Sequence, residues 1–199
     1  MNLPNKLTLM RVILIPVMII VYYVDPLRTT YMFNNYLTIS NFVMCLIFII
    51  ASLTDFLDGY LARKNNQVTT FGKFMDPLAD KLLVSSALLV LMDQGAIAAW
   101  VVIIIIAREF IVTGIRLLAV EGGKVIAAGK LGKYKTATTM VAIIGLFFKE
   151  TNAFVGNQFD TSNIVYFIFN IVMYIALALT VISGVDYFVK NRKIIFESK

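Results

Sequence analysis

Residues 164–185 carry no charged side chain, and similar uncharged stretches recur at 12–24, 36–54 and 96–107. About 20 apolar residues in a helix rising 1.5 Å each span the hydrocarbon of a bilayer. No water reaches backbone groups there, so such segments must close their own hydrogen bonds as helices. The chain is 59% hydrophobic and only 15% charged over 199 residues, where soluble domains average about 25% charge. This predicts an all-α integral membrane protein: a six-transmembrane-helix bundle forming a single domain over residues 1–199, with both termini cytoplasmic.

The expected spans are 8–24, 36–63, 73–92, 96–120, 134–149 and 164–189. Pro16 falls in the middle of the first, where neighbouring helices can satisfy the freed carbonyl. Pro77 falls in the first turns of the third, where a missing donor costs least. The connection 25–35 reads as polar, Asp93-Gln94-Gly95 as a tight turn, and 121–133 as a loop rich in Gly and Lys. The amino-terminal segment lacks a small-residue cleavage pattern and is expected to be retained. The single cysteine, Cys45, reads as a small side chain in an apolar run. No internal repeat is visible.

A net charge of +6 raises the possibility of a nucleic-acid partner. Threading six spans through a membrane, however, puts 16 of the 18 Lys and Arg on the side of the termini and leaves Arg28 and Lys149 on the other. Lys and Arg accumulate on the cytoplasmic side of membrane proteins. The basic charge is therefore topology, and no nucleic acid is needed to explain it.

Against this background the stretch from Asp55 to Asp80 stands out. Asp55 and Asp58 are three apart, Asp76 and Asp80 four apart, so each pair shares a helix face. The second and third spans are antiparallel and joined by a short loop, which brings both pairs to the cytoplasmic ends of neighbouring helices. Ionisable groups in a membrane segment mark function by default, and clustered carboxylates repel unless cations accompany them. Two hard divalent cations about 4 Å apart would suit the oxygen ligands and phosphoryl chemistry. Helix capping explains an acid such as Asp76 in a first turn, but not Asp55 and Asp58 near a carboxyl end. Gly59, Ala62 and Gly72 lie on or beside this face, suited to close helix packing or to leaving room for a nucleotide.

The pattern Asp55-x-x-Asp58-Gly59-x-x-Ala62-Arg63, eight residues, then Gly72-x-x-x-Asp76-x-x-x-Asp80 resembles the signature of the CDP-alcohol phosphotransferases, membrane enzymes of phospholipid synthesis. The resemblance implies two Mg²⁺ or Mn²⁺ ions held by Asp55, Asp58, Asp76 and Asp80, with Asp80 as general base. It implies that CDP-diacylglycerol binds over Gly59, Ala62, Arg63, Gly72 and Lys73, with Asn5 and Thr8 alongside. It further implies a homodimer in the bacterial cell membrane with its site facing the cytoplasm.

Three other segments bear on the acceptor. Asn2 to Thr8 with Arg11, Ala107-Arg108-Glu109-Phe110 with Arg116, and Gly132-Lys133-x-Lys135-Thr136 are similar to the branch of that family that uses sn-glycerol 3-phosphate. A phosphorylated acceptor needs cations, and Arg108, Arg116 and Lys135 are the candidates. Each has a plainer role available: Arg108 pairing with Glu109 or a motif aspartate, the others meeting lipid head groups. Inositol phosphate as acceptor would use the same cations. A metal or ion transporter is a reading from another class, disfavoured because transporter sites lie near the bilayer midplane. Asp186 receives no role.

Overall fold

The computed structural model describes residues 3–32, 37–64, 70–121, 126, 129–148 and 161–192; the side chains of 3–4, 56–64, 70–71, 73–74, 121, 130 and 161–165 lie outside that description. The described residues form helices α1 (Leu3–Tyr23), α2 (Asp25–Thr29), α3 (Ile39–Lys64), α4 (Thr70–Asp93), α5 (Ala99–Glu121), α6 (Lys130–Phe147) and α7 (Thr161–Lys190), with a two-stranded ribbon of β1 (Tyr31–Met32) and β2 (Leu37–Thr38). The all-α expectation holds. Two of these helices are long and apolar enough to cross a membrane on composition alone, over Asn5–Tyr23 and Tyr166–Lys190. α4 and α5 fall short because they carry charges such as Asp76, Asp80, Arg108, Glu109 and Arg116.

Where the polar connection was expected, Pro26 opens the short α2, its missing N–H costing nothing in a first turn. Beyond it, Tyr31 pairs with Thr38 and Met32 with Leu37 in an antiparallel ribbon. Helix α1 begins at Leu3 rather than residue 8. The longer α1 buries a single stripe, Asn5, Thr8, Arg11, Ile15, Met18 and Tyr22, at the three-and-four spacing of one helix face. That stripe is polar in its first half and apolar in its second. The first half becomes part of the site, and the second joins the core.

The core runs through α1, α3, α4, α5, α6 and α7, with Met18, Phe48, Leu88, Leu91, Ile105, Ile143 and Phe147 fully or almost fully buried. Outside it, large apolar side chains such as Ile103, Leu117 and Phe167 are about two-thirds exposed, the arrangement lipid favours. Hydroxyls within the helices bond to preceding carbonyls, as Ser52 does to Phe48, Thr113 to Glu109 and Thr180 to Ala176, so these polar groups need no water. At the end of α1 the Tyr22 hydroxyl donates to Asp93 Oδ2 at 2.5 Å while the Arg28 guanidinium lies 4.7 Å from its ring centre. This ties α1 to the end of α4.

Helices α6 and α7 approach closely at Gly145, where an added Cβ would come within 2.0 Å of the Phe169 ring. Small residues permit such approaches in membrane bundles. Gly145→Ala should therefore destabilise the bundle by about 1–3 kcal/mol, read as a lower unfolding temperature in detergent. Adding Phe169→Ala to the same chain should recover part of the loss.

Candidate active site

The site is assembled by α1, α3, α4, α5 and α6 around a cavity of about 370 Å³ whose lining includes Asp55, Asp76, Asp80, Lys81, Glu109, Arg116 and Lys135. Helix geometry sets Asp76 and Asp80 one turn apart on α4, and α3 brings Asp55 to them. Arg11 on α1 has a fully buried side chain, and its Nη1 lies 2.8 Å from Asp55 Oδ1 and 2.7 Å from Asp80 Oδ1. The two carboxylates are about a third and two-fifths exposed. One cation thus gathers acids from α3 and α4 while leaving them open to the cavity. Thr8, one turn before Arg11, donates from Oγ1 to Asp76 Oδ1 at 2.7 Å.

The structure brings Asp55, Asp76 and Asp80 to one cavity. The side chains of Asp58, Gly59, Ala62, Arg63 and Lys73 lie outside the described residues; Gly72 is buried at the start of α4. Among the described residues no group of three or more acidic, histidine or cysteine side chains forms a ready metal cage. Asp55 and Asp80 are bridged by Arg11 instead. Their chemistry nonetheless suits a hard cation: the donors are oxygens, and two carboxylates from different helices already converge on one positive nitrogen.

A second cavity of about 890 Å³ adjoins the first, sharing Lys81, Glu109, Arg116, Lys135, Thr136 and Met140 and adding Arg108, Ser183 and Tyr187. The three cations expected to bind a phosphate all line it. Arg108 reaches Glu109 Oε1 at 3.2 Å through Nη1 and Ser183 Oγ at 2.9 Å through Nη2. Lys135 pairs with the same Glu109 oxygen. Arg116 donates from Nε to the Tyr187 hydroxyl at 3.3 Å, its guanidinium 5.6 Å from that ring's centre.

Pairing of Arg108 with Glu109 is present, yet it leaves Arg108 on the cavity wall. Arg11 was not singled out as a site residue from sequence, and neither were four others. Lys81 was hidden beside Asp80, Glu109 beside Arg108, and Ser183 and Tyr187 one turn apart on α7 in an otherwise apolar helix. Asp186 pairs with Lys190 at 2.8 Å, one turn on, and lines the second cavity.

A model of the CDP-alcohol phosphatidyltransferase family matches residues 1–182. A Bacillus subtilis (strain 168) protein named "CDP-diacylglycerol--glycerol-3-phosphate 3-phosphatidyltransferase" is 44% identical over 96% of this chain and 95% of its own. Proteins of the same name are similar in Rickettsia bellii, at 36% identity over 96% of each chain, and in Escherichia coli (strain K12), at 41% over 74% of this chain and 78% of the relative.

Proposed function

The chain belongs to the CDP-alcohol phosphatidyltransferase family, and we propose that it transfers the phosphatidyl group of CDP-diacylglycerol to sn-glycerol 3-phosphate, giving phosphatidylglycerophosphate and CMP. The observation that carries this reading is a pair of adjoining cavities: carboxylates Asp55, Asp76 and Asp80 line the first, Arg108 lines the second, and cations Lys81, Arg116 and Lys135 line both. A nucleotide-linked lipid suits the first and a phosphorylated alcohol the second.

In the reaction the acceptor hydroxyl oxygen forms a bond to the β-phosphorus of the CDP group, and the bond from that phosphorus to CMP breaks. Asp80 takes the hydroxyl proton, and Arg11 and Thr8 hold Asp80 and Asp76 in register. Two Mg²⁺ or Mn²⁺ ions, held by Asp55, Asp58, Asp76 and Asp80, would supply charge neutralisation of the pyrophosphate and of the departing CMP. Gly59, Ala62, Arg63, Gly72 and Lys73 take the cytidine diphosphate portion, with Asn5 and Thr8 on α1 beside it. Arg108, Arg116 and Lys135 hold the acceptor phosphate. Catalysis is then positioning plus electrostatics.

The proposal includes six membrane crossings by α1, α3, α4, α5, α6 and α7, with both termini and the site on the cytoplasmic side of a bacterial cell membrane, and a homodimer packed through membrane helices. The 16-to-2 division of Lys and Arg supports this orientation. Detergent-purified protein with CDP-diacylglycerol and a divalent cation should release CMP with glycerol 3-phosphate and only slowly with inositol phosphate or free glycerol. Equal rates with inositol phosphate would overturn the choice of acceptor.

A further inference from the structure

Glu109 is the only carboxylate among the described residues that lines both cavities. Its Oε1 accepts from Arg108 Nη1 at 3.2 Å and pairs with the Lys135 ammonium. The side chains of these two cations are only 13% and 6% exposed, that of Glu109 25%. Arg108 is held from behind by Ser183 Oγ at 2.9 Å. Gly184 leaves it little slack, since a Cβ there would stand 3.0 Å from Arg108 Cγ. Arg108 is held in place and Lys135 is buried, so the carboxylate is the member of the cluster most open to the cavity.

We propose that Glu109 is an internal stand-in for the acceptor's phosphate: it occupies Arg108 and Lys135 until a phosphomonoester displaces it. This rests on the reading of Arg108 and Lys135 as phosphate ligands. Buried cations need an anion at all times, because an uncompensated charge in a low-dielectric site is strongly destabilising. A carboxylate brings one negative charge. A phosphomonoester brings up to two with three free oxygens, and gains charge-assisted bonds to both cations. It can therefore replace Glu109 where a neutral alcohol gains nothing and a singly charged anion gains little. Selectivity for a phosphorylated acceptor follows from that competition. The same competition weakens acceptor binding by the fraction of time Glu109 holds the cations.

The test uses the full chain in detergent, with Glu109→Gln and Glu109→Asp beside the unsubstituted protein. Calorimetric titration with inorganic phosphate and with glycerol 3-phosphate, without the lipid nucleotide, should show the Gln protein binding both about tenfold more tightly. KM for glycerol 3-phosphate should fall in parallel while KM for CDP-diacylglycerol stays unchanged. The Asp protein, whose shorter side chain reaches the cations less well, should be intermediate, and it carries the test if the Gln protein does not fold. Weaker phosphate binding in either variant would overturn the proposal, since Glu109 would then be positioning the cations. Tighter binding of inorganic phosphate by a protein that does not use glycerol 3-phosphate would uphold the displacement and refute the acceptor. Turnover of glycerol 3-phosphate with unchanged phosphate affinity in the variants would do the reverse.

Discussion

Asp80→Asn should lower the rate of CMP release about 10²–10⁴-fold, the range a positioned general base contributes, while the protein still folds. Asn has the shape of Asp and keeps an oxygen that can accept from Arg11 Nη1, now 2.7 Å from Asp80 Oδ1. Arg11 also retains Asp55 at 2.8 Å, so the buried guanidinium is not abandoned. What disappears is the capacity to take a proton and one unit of negative charge facing the cavity. The measurement is CMP release at saturating lipid nucleotide and acceptor, with thermal unfolding as the control for folding. Full turnover by a folded Asn protein would refute the assignment of Asp80 as base.

The aspartates were legible because charge is conspicuous in an apolar chain, and helix periodicity alone sets Asp76 and Asp80 on one face. Their partners were not. Arg11 meets Asp80 across 69 positions and Arg108 meets Ser183 across 75, and nothing in local spacing says which helix faces which. The start of α1 was misplaced for a related reason. Asn5 lies outside the expected span and Thr8 at its very start, whereas in the fold both belong to the buried stripe that continues through Ile15, Met18 and Tyr22. A stripe that changes from polar to apolar is invisible to a search for apolar runs. The ribbon of β1 and β2, two residues per strand, is too short to leave an alternating pattern. Glu109 was visible only as a neighbour of Arg108, and its second partner, Lys135, lies on another helix.

Arg11 carries the other large expected effect. Arg11→Met keeps the stem in the packed face of α1 but removes the guanidinium that lies within 3 Å of both Asp55 and Asp80. Breaking a buried ion pair costs about 3–5 kcal/mol. The low end, about 3 kcal/mol, applies because both carboxylates are partly open to the cavity. Their mutual repulsion then moves Asp80, and a misplacement of about 1 Å can cost 10²-fold in rate. Lys at this position carries the charge without the planar fork, so Arg11→Lys should recover part of the stability and little of the rate. Carboxylates relieved of the Arg11 guanidinium are also better ligands for an added cation. A divalent ion that binds only the folded protein stabilises it by about 2.7 kcal/mol at a hundred times its Kd. Unfolding in detergent across a Mg²⁺ series should therefore show a larger upward shift for Arg11→Met than for the unsubstituted protein. A Met protein equally stable at every Mg²⁺ concentration would mean that the guanidinium between Asp55 and Asp80 contributes nothing to holding α1, α3 and α4 together.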